Sequence, residues 1–226
     1  MLPALTTIPE LLSFTLVSTT AWLALHVYVR HNGQISIAKP IIKLNSWIYT
    51  VLSFIMFLLV IIVPEYPPGT STDGIGGNHP FSAASTRYIY HLSKFYEFLD
   101  ILLVCAARSP INLHFAFHHL TTPYLTFVRF LPDVGSDGWR VFAAANTFHH
   151  VLMYAYFGGA SVLRPVLPLT GTLQLLVGIA VDVVVGVGEY RTGDGDSDIC
   201  WPYSASAGLL GVYLVLHLRD LRARRI

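Results

Sequence analysis

Residues 46–63 read SWIYTVLSFIMFLLVIIV, an unbroken run without one charged side chain. A helix rises about 1.5 Å per residue, so about 20 apolar residues match the ~30 Å hydrocarbon core of a bilayer. Outward from it, similar blocks recur at residues 11–29, 88–107, 112–131, 139–157, 165–187 and 203–217. Seven spans in a single domain covering residues 1–226 are the economical count, and the expected fold class is an all-α polytopic membrane protein. The first block lacks a basic leader and a small-residue cleavage site and ends at Arg30, so it reads as a helix rather than a signal peptide.

Composition agrees, with 54% hydrophobic and 12% charged residues where a soluble chain carries roughly a quarter charged. A formal charge of +1 without a basic run excludes nucleic acid as a partner. Orientation follows from Lys and Arg, which collect in short cytoplasmic loops. Arg30, Lys39, Lys43, Arg108, Arg164, Arg219, Arg222, Arg224 and Arg225 fall on one side, while Glu65, Asp73, Asp133, Asp137, Glu189, Asp194, Asp196 and Asp198 fall on the other. The N-terminus is expected outside the cytoplasm and the C-terminus within it. The segment EYPPGTSTDGIGGNHPFSAAST, residues 65–86, reads as a long exposed connection. Cys105 and Cys200 lie towards opposite sides, so no disulfide joins them.

Ionisable groups inside spans are costly and count as functional candidates. Lys94, Glu97 and Asp100 recur every three residues along one face of span three. Span four carries His114, His118 and His119; span five carries Asn146, His150 and Tyr154 at intervals of four; span six adds Gln174. Counted inward from the cytoplasmic boundaries, Asp100, His118, His150 and Gln174 all lie about 10 to 15 Å deep. Four helices bringing polar groups to one level predict a shared chamber open to the cytoplasm. His26, His91, His217, Asp182 and Cys105 read as packing residues.

These motifs resemble the ELO family, the membrane elongases of very long chain fatty acids. KFYEFLDI from Lys94 matches its charged signature, FHH from Phe117 its histidine box, NTFHHVLMYAYF from Asn146 its third motif and TLQLLVG from Thr172 its fourth. The resemblance covers most of the chain in order and spacing, and it implies seven helices around a central acyl-CoA tunnel. Departures mark a divergent member. Three residues separate His114 from His118 where the family has two, which rotates His114 by about 100° unless the helix bulges there. Ile101 and Val177 replace family polar residues, and the lumenal cysteine pair of some relatives is missing.

The resemblance implies condensation of a long-chain acyl-CoA with malonyl-CoA to a 3-oxoacyl-CoA, CoA and carbon dioxide, with no metal and no cofactor beyond these substrates. His118 and His150 are the expected catalytic pair, neutral imidazoles able to take an acyl group or a proton. Asn146 and His119 are the expected donors to developing negative charge, and His114 completes the catalytic set. Lys94, Glu97, Asp100, Tyr154 and Gln174 are expected to orient the imidazoles and line the substrate path. The lipid bilayer is the other expected partner; other enzymes of the elongation cycle and a second copy of the chain stay open. The tail RARRI places Arg222 and Arg224 where the family's dilysine retrieval signal often lies, so the resemblance implies the endoplasmic reticulum membrane, with a lumenal N-terminus and a cytosolic C-terminus. Two alternatives remain at this point. A di-iron desaturase or hydroxylase would suit clustered imidazoles, though such enzymes use more histidines. A seven-helix receptor or transporter would need none of this site.

Overall fold

A computed structural model describes residues 4–63, 82–130, 138–192 and 197–223. The described chain is helical throughout: α1 (Ile8–Asn32), α2 (Ala38–Ile62), α3 (Ala83–Tyr96), α4 (Phe98–Ala106), α5 (Leu113–Phe130), α6 (Trp139–Gly158), α7 (Leu167–Thr192) and α8 (Ser197–Ala223), with a short 3-10 turn at Ser161–Leu163. The expected acidic positions Glu65, Asp73, Asp133, Asp137, Asp194 and Asp196, the side chain of Asp198, and the tail arginines Arg224 and Arg225 lie outside the described residues, as does most of the 65–86 connection.

The helix ends follow local chemistry. Thr7 and Glu10 form a reciprocal capping box that starts α1. Ser82 and Ser85 do the same for α3, so that helix begins at Ala83, ahead of the expected boundary at residue 88. Gly33 and Gly159 stop α1 and α6 at φ of +86° and +121°, a region that side chains with a Cβ avoid. The expected third span is two helices, interrupted at Glu97 in the middle of the charged signature.

By length and composition, α1, α2 and α7 are long and apolar enough to cross a membrane. The other expected spans are also helical, but they carry the histidines, asparagine and charges of the site or, in span three, are broken.

Neighbour relations close a ring. α2 packs on α6, α6 on α7, α7 on α8, α8 on α5 and α5 on α3, while α3 and α4 return to α2. α1 touches α4 and α5 from outside. The expectation of seven helices around a centre is therefore corrected: α1 does not line it. The reason lies in its sequence, because Leu12, Leu16, Val17, Leu23 and Val27 are exposed and only Leu11, Ser18 and Val29 are buried. A helix apolar on nearly every side suits lipid better than a polar centre.

The half of the ring nearer Trp139 holds two packed clusters. Met56, Val60, Tyr90, Trp139 and Ala143 form one packed cluster, and Leu125, Phe142, Leu175, Leu210 and Tyr213 another. Gly178 makes the second possible, since a Cβ there would sit 2.6 Å from Phe142 Cδ2 and 2.7 Å from Leu210 Cδ1. Arg129 and Asp182 form a buried ion pair beside it, with Arg129 Nε donating to Ser206 at 3.0 Å. Asp182 is thus a structural residue, as expected. Cys105 is buried, and Cys200 Sγ donates to the Gly186 carbonyl at 3.4 Å.

Candidate active site

The other half of the ring holds a chamber of about 670 Å³. Asn112, Arg164, Asp220 and Leu221 stand among its lining, where α5 and α7 begin and α8 nears its end. Its far end is marked by Glu97, His119, Gln174 and Leu175. Leu175 belongs also to the second packed cluster, so the chamber's inner end rests on apolar side chains there.

Eight of the ten expected site residues line this space: Glu97, Asp100, His114, His118, His119, His150, Tyr154 and Gln174. Lys94 and Asn146 lie buried behind it and act through their neighbours. Lys94 Nζ donates to Glu97 Oε1 at 2.7 Å and to Asn146 Oδ1 at 2.8 Å. Asn146 Nδ2 donates to Gln174 Oε1 at 2.8 Å and lies 3.4 Å from His150 Nε2. These bonds tie the charged stripe of α3 and α4 to α6 and α7 in one polar layer. A buried charge is tolerated only when paired and hydrogen-bonded, and Lys94 and Glu97, 3% and 1% exposed, meet that condition.

Glu97 Oε1 lies 3.4 Å from His150 Nδ1. Ligand-type atoms of Glu97, His118 and His150 all fall within 4.8 Å of one another, so the two imidazoles meet at the chamber's inner end. The ring of His118 contacts those of Tyr213 at 4.9 Å, His119 at 5.4 Å and His114 at 6.1 Å. Two buried polar atoms beside it have no hydrogen-bond partner among the described residues, His119 Nδ1 and Glu97 Oε2. A water or another O–H or N–H donor could satisfy them. The same three residues have the spacing of a metal site, but the Lys94 ammonium already sits against the Glu97 carboxylate and opposes a second cation there.

Asp100 is held from two sides. Asn45 Nδ2 donates to its Oδ1 at 3.0 Å, and Tyr154 donates to its Oδ2. Asn45 in turn accepts from Tyr96 at 2.6 Å.

His114 lies apart from the pair. α5 runs as continuous α-helix from Leu113, with no bulge, and Asn112 Oδ1 caps it by accepting from Phe115 N at 2.7 Å. His114 Nδ1 is 3.7 Å from Asp220 Oδ2, and its ring is 5.6 Å from that of His217. His217, expected as a packing residue, lines the chamber with it. His91 fits its expected packing role, bonding Thr126 at 2.7 Å and the Leu5 carbonyl at 2.8 Å.

Three site residues escaped the sequence reading: Asn45 and Tyr49 of α2 and Tyr90 of α3. Tyr49 donates to Glu97 Oε1 at 2.9 Å, and Tyr90 to Asn146 Oδ1 at 2.9 Å. The available signal was three polar or phenolic positions, Asn45, Tyr49 and Ser53, at intervals of four in an otherwise apolar helix.

Fatty acid elongase A of Dictyostelium discoideum is 41% identical over 71 residues, which is 31% of this chain and 25% of the relative. Fatty acid elongase sre1 of the same organism is 36% identical over 70 residues, 31% of this chain and 26% of the relative. Fatty acid elongase 2 of Trypanosoma brucei brucei is 31% identical over 137 residues, 57% of this chain and 49% of the relative. The chain thus spans half or less of these relatives' lengths. No solved structure matches it. The pattern of the ELO: GNS1/SUR4 family, by contrast, matches residues 5–218. With the apolar α1, α2 and α7, that match makes the chain a multi-pass membrane protein. From α1 to the last turns of α8, this chain belongs to the ELO: GNS1/SUR4 family.

Proposed function

We propose that this chain is a fatty acid elongase, a 3-oxoacyl-CoA synthase that condenses a long-chain acyl-CoA with malonyl-CoA. The observation that carries the reading is the meeting of His118, His150 and Glu97 within 4.8 Å at the inner end of a chamber. The relatives named as fatty acid elongases support the same chemistry.

The reaction needs an activated acyl carbon, loss of carbon dioxide from malonyl-CoA and shelter for the resulting enolate. His118 attacks the thioester carbon and takes the acyl group on a ring nitrogen, and CoA leaves as thiolate and picks up a proton. Loss of carbon dioxide leaves the malonyl electron pair on C2. That carbon attacks the acyl group, forming the new C–C bond and freeing the imidazole. His150, backed by Glu97, passes the His118 ring proton to the departing thiolate, and one proton taken up from water restores the imidazole freed in the second step. His119 donates its ring N–H to the Glu97 backbone, so its Nδ1, buried without a partner among the described residues, is an acceptor that can hold a water whose other proton points at the enolate oxygen. Asn146 is engaged on both sides of its amide and therefore positions His150 and Gln174. Ile42, Leu103, Val104, Met153 and Phe157 supply an apolar wall for the acyl chain, and Arg164 positive charge for CoA phosphates. Imidazoles and hydrogen-bond donors suffice for this route, so no metal or cofactor enters it.

The arginine and lysine distribution favours a cytosolic chamber mouth, seven spans and a lumenal N-terminus, in the endoplasmic reticulum where acyl-CoA meets the bilayer. Other enzymes of the elongation cycle are the natural partners for its product. The test uses membranes containing the full chain, labelled malonyl-CoA and a panel of acyl-CoAs. Labelled 3-oxoacyl product that disappears in His118→Ala and His150→Ala supports the proposal; no product from the wild type at any acyl length, or undiminished product from either variant, overturns it.

A further inference from the structure

Glu97 sits where α3 has ended and α4 has not begun, so neither helix fixes its side chain fully. Yet its Oε1 lies 3.4 Å from His150 Nδ1. Something must hold it there. We infer that Tyr49 is a positioning residue, whose hydroxyl aims the Glu97 carboxylate at His150; this rests on the elongase reading above.

Three observations carry the inference. The Tyr49 hydroxyl reaches both Glu97 Oε1, at 2.9 Å, and the Ser93 carbonyl in the last turn of α3, at 3.1 Å, so it ties the carboxylate to the backbone just before the break. Lys94 donates to the same Oε1 at 2.7 Å, while Oε2 has no partner among the described residues. Both donors thus fix the oxygen that faces the imidazole. The spacing also matches: Asn45 and Tyr49, one turn apart on α2, meet Asp100 and Glu97, three residues apart across the break. The phenol ring is itself held, stacked on Tyr96 at 5.2 Å and against Tyr154 at 4.3 Å.

Tyr49→Phe keeps those ring contacts and removes only the hydroxyl. A hydrogen bond to a charged group is worth enough to lower kcat about ten- to a hundredfold. The measurement is kcat and KM for acyl-CoA and malonyl-CoA in the full-length protein. Expected is a fall in kcat with both KM values unchanged, and a Tyr49→Phe/Glu97→Gln double variant no slower than Glu97→Gln alone. Wild-type kcat in Tyr49→Phe, or losses that multiply in the double variant, overturns the inference. If Tyr49→Phe accumulates too poorly to assay, 3-fluorotyrosine at position 49 preserves the shape and alters hydroxyl acidity; a changed kcat supports the inference and an unchanged one overturns it. A wild type that condenses no acyl-CoA sinks the elongase reading itself, whereas an active wild type beside a fully active Tyr49→Phe sinks this inference alone.

Discussion

The carboxylate of Glu97 and the imidazole of His150 face each other 3.4 Å apart, one from the interruption between two helices and the other from the middle of α6. A carboxylate in that place fixes the tautomer of the ring and stabilises its protonated form, as the acid does in other base–carboxylate pairs. Glu97→Gln preserves size and removes the charge. Condensation is expected to fall by about 10² or more, measured as initial rate of labelled product per mole of folded protein, and the thermal midpoint to fall as well because Lys94 loses its buried partner.

In the proposed mechanism His118 and His150 serve one acyl transfer, so their losses should not add. Each alanine variant is expected to cost about 10² to 10⁴ in kcat, and the double variant little more than the worse single one. Independent, multiplying losses would separate their roles.

His114 Nδ1 stands 3.7 Å from Asp220 Oδ2 in a partly buried contact away from the catalytic pair, and such long contacts contribute little. His114→Ala is expected to lower kcat less than about fivefold, in keeping with the ~1 kcal/mol ceiling of exposed pairs. Kinetics across an acyl-CoA series would show any change mainly in KM.

Gly178→Ala pushes a methyl group into Phe142 and Leu210, both packed. Overpacking of this kind costs about 1–3 kcal/mol. A lower thermal midpoint in detergent, with wild-type activity at low temperature, is the expected pattern.

Asp182→Ala strands the Arg129 guanidinium in a buried setting. The expected loss of stability is about 3–5 kcal/mol, whereas Arg129→Leu/Asp182→Leu, which removes both charges, costs less. Thermal unfolding of the three proteins in one detergent would rank them.

Much of the site was legible in the residues because burial of polar groups in a bilayer is expensive enough to leave few explanations for them. Asp100, His118, His150 and Gln174, placed at one depth by counting, do border one cavity. Asn45 was missed for a boundary reason: the apolar run starts at Ser46, but α2 starts at Ala38, so a residue read as loop lies within the helix. Tyr49 was hidden by its ring, which looks apolar until its hydroxyl finds a partner. The interruption at Glu97 has no glycine or proline to announce it; Asp100, Tyr49 and Asn45 hold it through contacts that no local pattern encodes. α1 failed differently, since an apolar period does not say whether a helix meets protein or lipid.

Leu175 stands both in the chamber lining and in the second packed cluster, which sets apolar side chains under the polar inner end of the cavity. A protein can open a wide polar mouth on one side of a membrane without short-circuiting the ionic gradient across it, provided the base stays dry. Reconstituted vesicles carrying this chain should hold a proton gradient as long as empty ones do.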